Sequence, residues 1–232
     1  MTTIYLIRHG QASFGAASYD KLSHNGELQA KLLGGYLGEI LKEAPYVVAG
    51  SMQRHQQTAN ISLAECFPNS EIVTDAAWNE FNHQQVFAQY EPRFNDPQLL
   101  KQDIAKHADP REYLSEIFEG AIQRWTEGHH NSEYDESWPT FKARVENGLD
   151  RLCQQLVQTK PRYAVVYTSG GVISVVAGKL LGLTVEKTCA LNWVIANTSL
   201  TTIRLVNNEP QLFSLNEHHF IKAKQPELLT WI

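Results

Sequence analysis

Arg8, His9 and Gly10 close an apolar, β-branched run, Ile4-Tyr5-Leu6-Ile7, at the start of the chain. A guanidinium presents a fixed fork of donors that matches phosphate oxygens. A neutral imidazole attacks phosphorus through a ring nitrogen, and a glycine lets backbone approach an anion closely. The tripeptide points to phosphate chemistry, although alone it also fits a basic pair that merely ends a strand. Three further places carry compatible groups. The stretch 51–59 holds Arg54 at the start of a helix whose free N–H groups favour an anion. Trp78-Asn79-Glu80 offers a carboxyl group suited to proton transfer. Thr168-Ser169-Gly170-Gly171 is a strand-to-helix turn with unpaired backbone donors. Taken singly, Glu80 also fits a surface glutamate and Arg54 a helix-surface charge.

Each of the four follows a predicted strand, and in open α/β sheets that is the rim where ligands bind. The first strand covers residues 3–8. Ser23 then reads as the N-cap of a long helix, roughly 24–42, with Leu28, Leu32, Leu33, Tyr36, Leu37, Ile40 and Leu41 at helical spacing. Gly34, Gly35 and Gly38 suggest that it packs closely on the sheet, and Pro45 ends it. A strand at 46–50, a helix at about 53–65 and a short strand at 71–74 follow. Residues 85–135 fit no strand–helix unit. Pro92, Pro97 and Pro110 break the stretch and helical periodicity returns near 112–126, so it reads as a mostly helical insertion. It is either a cap over the site or a packed excursion without a chemical role. A helix at about 139–159, the apolar strand 163–168, a helix to about 182, and an antiparallel hairpin of 198–206 with 211–215 complete the chain. The expected fold is a three-layer α/β/α sandwich with a mostly parallel sheet, an antiparallel edge strand and a helical insertion, in a single domain over 1–232.

With 232 residues the chain can bury a full core, and 43% hydrophobic against 19% charged residues is ordinary for a globular protein. The net charge of −5, with no basic tract, argues against nucleic acid as a partner. Cys66, Cys153 and Cys189 are odd in number and widely spaced, which fits reduced thiols in a cytoplasmic protein. Arg8 and His9 interrupt the first apolar run too early for a secretory signal, and no span is long enough to cross a membrane.

The order and spacing of these residues resemble the histidine phosphatase (phosphoglycerate mutase-like) superfamily along nearly the whole chain. Arg8-His9-Gly10 matches its opening motif. Leu22-Ser23 with Gly26, Gln29 and Ala30 is similar to its L-[ST]-x-x-G-x-x-Q-A. Ser51, Arg54, Gln57, Thr58 and Ala59 are similar to S-x-x-R-x-x-Q-T-A. Glu136-Ser137, Phe141 and Arg144-Val145 look like a later helix, and Asn216 with His219-Phe220 like a carboxyl-terminal motif. The resemblance implies that His9 attacks the phosphoryl group, that Arg8, Arg54, Ser169 and Gly170 bind it, and that Glu80 is the acid and base. It places Gln11, Gly15, Ser23 and His83 near the substrate. No cofactor or metal is implied, because arginines supply the positive charge. Phe14, Tyr19, Phe87 and Trp138 could form an apolar pocket wall, or belong to the core.

The chain departs from the family pattern where a second histidine normally follows the fourth strand: Ser169 stands there. Gly15 replaces an asparagine, and Gln84 a glycine. Serine donates one hydrogen bond and carries no charge. A slower or altered phosphatase is expected, with Ser169→His raising turnover. His83, three residues after Glu80, His55 beside Arg54, and His218 and His219 near the carboxyl end either substitute for the second histidine or are ordinary polar or packing histidines, the second being the expected reading, and His107, His129 and His130 give no metal spacing. The expected function is hydrolysis of a phosphomonoester, a small phosphorylated metabolite, with a homodimer by analogy. The alternatives are a catalytically weak or inactive phosphate-ligand binder on the same fold, and a phosphoglycerate mutase.

Overall fold

A computed structural model describes residues 1–13, 20–104, 106–107 and 110–231, so Phe14, Gly15 and Tyr19 lie outside the described residues. The chain forms two compact units, residues 1–80 with 145–232, and residues 81–144.

The first unit is built on a mixed six-stranded sheet in an α/β fold. The strand order is β3 (Ile72–Thr74), β2 (Tyr46–Ala49), β4 (Tyr163–Thr168), β1 (Thr3–Arg8), β5 (Leu200–Val206), β6 (Glu209–Glu217). The first four of these are mutually parallel, β5 runs against β1, and β6 against β5. All six residues of β4 are buried, as expected for a central strand covered on both faces. The register sets Arg8 opposite Thr168, and Ala49 opposite both Tyr167 and Thr74. The residues that follow β1, β2, β3 and β4 therefore leave the sheet along one rim.

Alternation along the strands divides the core. Ile7, Val47, Ala49, Val165 and Tyr167 share a cluster with Leu33 and Leu37 of α1 (His24–Ile40), Ala59 and Leu63 of α2 (Gln53–Cys66), and Phe220 and Ile221 of α9 (His219–Lys224). The intervening residues Ile4, Leu6, Ala164 and Val166 are buried as well, and α7 (Gly170–Leu181) packs against β1 and β6. α1 begins as expected, with Ser23 Oγ accepting the N–H of Gly26 at 3.1 Å. It stops at Ile40, where Leu41 turns extended and buries its side chain. Gly34 packs on α2 rather than on the sheet: a Cβ there would stand 2.3 Å from the carbonyl oxygen of Ser62.

The hairpin turn is tighter than the sequence suggested. Asn207 and Asn208 alone take it, with φ of 54° and 70°, so β6 begins at Glu209. Pro210 is tolerated because β6 is the edge strand. α8 (Val185–Leu191), capped by Thr184, was not anticipated. All three cysteines are free, and burial pushes the thiols of Cys153 and Cys189 up to about 11.

The second unit is helical, with α3 (His83–Tyr90), α4 (Pro97–Ile104) and α5 (Pro110–Thr126). α6 (Trp138–Thr159) begins in it and ends in the first unit. Phe81 stacks on Trp125 at 4.6 Å, Trp138 meets Trp125 edge-on at 5.3 Å, and Phe87 meets Phe118 at 4.2 Å. Phe87 and Trp138 are thus buried core residues of this unit. His83 lies edge-on against Phe87. Glu136 holds Arg144 through two bonds, at 2.6 and 2.8 Å.

Candidate active site

His9 leaves β1 buried, its backbone N–H donating to the carbonyl of Thr168 at the end of β4. Its Nδ1 stands 2.7 Å from the carbonyl of Gly10, which can only accept, so Nδ1 carries the proton. Nε2 is therefore the nitrogen with the lone pair, and Arg54 Nε–H donates to it at 3.2 Å. Burial first, then the charge of Arg54, with smaller effects from His55 and Arg8, hold the His9 pKa well below its ordinary value. The imidazole is neutral at pH 7, the form a nucleophile needs.

Arg54 reaches this place because α2 starts just past β2. Its Nη1 pairs with Asp20 at 2.7 Å, and the other oxygen of Asp20 accepts the N–H of Gln53 at the start of the same helix. A carboxylate already sits where a helix N-terminus and a guanidinium converge, as the physics of anion sites requires. Arg8 is arranged differently. Its Nη1 donates to the carbonyl of Ile195, and to that of Trp231 at 2.8 Å. Its effect on His9 is electrostatic.

The α7 turn supplies the other side. Glu80 Oε2 accepts the N–H of Gly171 at 3.0 Å, which fastens the carboxyl group to the first turn of the helix beside Ser169 and Gly170. Thr168 Oγ1 donates to the carbonyl of Trp78 at 2.6 Å, tying the segment that carries Glu80 to β4. Asn79 and Ser51 clasp each other through two bonds. Ser169 is fully buried, and His55 Nε2 lies 2.6 Å from its Oγ. The His55 ring is 5.6 Å from that of His9, and burial together with the charge of Arg54 keeps it neutral at pH 7.

Several residues brace the loop that follows β1. Gln29 is fully buried, accepts the backbone N–H of Gln11 and donates to the carbonyl of Leu228. Thr58 accepts from Gly10 N–H and donates to the carbonyl of Arg54. Ser23, already capping α1, donates to Gln11 Oε1 at 3.0 Å. Asn197 Nδ2 donates to the carbonyl of His9 at 3.1 Å. The structure brings together His9, Arg54, Glu80, Ser169 and Gly170 with this scaffold, while His83 belongs to the second unit.

The sequence does not reveal Asp20, Asn197 or the particular contact of His55, which it offers only as one of four histidines that could substitute at the site. Only the last left a signal, a histidine next to Arg54 in a chain lacking one at position 169. Among the described residues, no group of three or more His, Cys, Asp or Glu could hold a metal ion, and no helix is long and apolar enough to cross a membrane.

The model of the histidine phosphatase superfamily (branch 1) matches residues 4–124 and 106–218. No curated protein matches significantly. Solved structures share the fold. A phosphoglycerate mutase from Bacillus anthracis has a TM-score of 0.65 at 17% identity, over 95% of each chain. An alpha-ribazole phosphatase from Shigella flexneri has 0.64 at 21% identity, covering 93% of this chain and 96% of its own. A mycobacterial glucosyl-3-phosphoglycerate phosphatase in complex with VO3 has 0.62 at 21% identity, over 94% and 100%.

Proposed function

We propose, from the premise that this chain belongs to the histidine phosphatase superfamily, that it is a phosphomonoester hydrolase working through a phosphohistidine. The observation that carries this reading is the tautomer of His9: Nδ1–H is fixed on Gly10, and the lone pair of Nε2 points at Arg54. An incoming phosphoryl group takes over the Arg54 donor and frees that lone pair. Nε2 then attacks phosphorus, the bond to the ester oxygen breaks, and Glu80 gives its proton to the leaving alkoxide. In the second half Glu80 takes a proton from water. The water oxygen attacks the phosphohistidine, the P–N bond breaks, and inorganic phosphate leaves. Arg54 and the N–H groups of the α7 turn stabilise charge on the equatorial oxygens, with the field of Arg8 behind them.

The substrate is a small phosphorylated metabolite and the compartment the cytoplasm; solved structures of similar fold include an alpha-ribazole phosphatase and a glucosyl-3-phosphoglycerate phosphatase. Two groups set the expectation of turnover above that of mere binding. A binder has use for Arg54, but none for a neutral imidazole with a lone pair on Nε2 and a carboxyl group fastened to the α7 turn.

Turnover of p-nitrophenyl phosphate by the wild type and His9→Ala tests the proposal. His9→Ala should abolish hydrolysis and keep orthophosphate binding. A wild type that binds orthophosphate but hydrolyses nothing would favour the non-catalytic binder, and a His9→Ala variant as active as the wild type would refute the mechanism.

A further inference from the structure

Ser169 and His55 are both fully buried and meet at 2.6 Å although 114 residues separate them. Two polar side chains taken out of water together need their donor and acceptor roles settled. The other ring nitrogen of His55, Nδ1, faces Gly50: a Cβ built there would stand 2.2 Å from it, and Nδ1 has no hydrogen-bond partner among the described residues. A proton on Nδ1 would be a buried donor without an acceptor, the costlier way to leave that atom. The proton therefore belongs on Nε2, and His55 donates to Ser169 Oγ. This leaves the serine's own hydrogen without an acceptor among the described residues. Ser169 immediately precedes α7, and its side chain makes no capping bond to the helix.

We propose that His55 and Ser169 act as one two-residue donor to the phosphoryl group. His55 Nε2–H holds the serine oxygen, and the serine O–H, so oriented, donates to a phosphoryl oxygen beside His9. Neither residue gives up its proton. Ser169 is the group that touches substrate, and His55 is a positioning residue. The inference rests on the phosphatase reading and deepens it. The imidazole that the family pattern puts at position 169 is supplied from α2, one residue past Arg54, with a serine between it and the anion. One expectation is reversed. A ring at position 169 would enter space that His55 already fills, so Ser169→His by itself should lower turnover.

The test compares kcat and KM on p-nitrophenyl phosphate, orthovanadate affinity and thermal unfolding across a set of variants. Ser169→Ala should lose about 10²-fold in kcat, as for one preorganised donor. His55→Phe keeps a ring and removes the donor, and should lose about tenfold. The double variant should be no slower than Ser169→Ala, because the two residues act as one. His55→Gln, which restores an N–H, should recover part of the His55→Phe loss. Ser169→His should fall below the wild type, and adding His55→Ala should raise it again.

A folded His55→Phe with wild-type kcat overturns the proposal, as do additive losses or a Ser169→His that gains activity with His55 in place. Long-range 1H–15N spectra of the wild type read the same point without a variant: Nε2–H at His55 is expected, and Nδ1–H overturns it. Absence of any wild-type turnover would sink the phosphatase reading instead. Orthovanadate affinity would then judge the pair, and a His55→Phe that binds as tightly as the wild type would refute it.

Discussion

Arg54→Gln separates two jobs that one side chain performs. In the folded protein Arg54 Nε touches His9 Nε2 at 3.2 Å, and Nη1 holds Asp20 at 2.7 Å. A unit charge about 4 Å from a phosphoryl group is worth about 4 kcal/mol at the effective dielectric of such sites. That corresponds to a loss of about 10³-fold in kcat/KM. The second effect concerns pH. His9 attacks only when neutral, so protonation of His9 sets an acidic limb in kcat/KM. Burial and then Arg54 are the two largest causes of its depressed pKa. Removing the charge raises that pKa and moves the acidic limb to higher pH. Arg54→Lys keeps the charge without the fork, and should lose activity with a smaller displacement of the limb. The assay is kcat/KM for p-nitrophenyl phosphate from pH 4 to 9, where the substrate's own ionisation is common to all three enzymes. A loss of rate with an unmoved acidic limb would refute the contact between Arg54 and His9.

Glu80→Gln should slow alkyl phosphates far more than aryl phosphates, because an aryloxide leaves without protonation; equal losses on both would remove Glu80 from the role of acid. Acid should destabilise the fold through His9 and His55, whose folded pKa values both lie below the unfolded value. Their contribution is complete above about pH 6.5 and is lost as pH falls below it, each adding up to about 1.4 kcal/mol per pH unit. Chemical denaturation at pH 7 and pH 5 should show this, with His55→Phe removing about half of the slope. Gly26→Ala should cost about 2 kcal/mol and several degrees of Tm, because its Cβ would stand 2.2 Å from the carbonyl oxygen of Gln11; an unchanged Tm would contradict the close approach.

The sheet could be read from the sequence because burial wrote itself into it. The apolar run 163–168 is buried on every residue, and the four groups with chemical potential all follow strands that prove parallel. α8 and α9 were missed because each is too short, at 7 and 6 residues, to repeat a helical period. The direction of Arg8 was not legible either. Its carbonyl partners Ile195 and Trp231 are 187 and 223 residues away, and no local pattern encodes them. The same holds for His55 and Ser169. Ser169 stands out as a departure from the family pattern and His55 as a histidine beside Arg54, but nothing local pairs them, and only the parallel register of β2 beside β4 brings the starts of α2 and α7 together.

The nucleophilic nitrogen is the sharpest point of the account. With Nδ1–H committed to the carbonyl of Gly10, phosphorylation must occur on Nε2 of His9. Rapid quenching of a reaction with labelled phosphomonoester, followed by peptide mapping and 31P NMR, reads it directly. An acid-labile phosphate on His9 Nε2, formed and lost at rates that support kcat, is the predicted result. Phosphate on Nδ1, on another residue, or on no residue while turnover proceeds would contradict it.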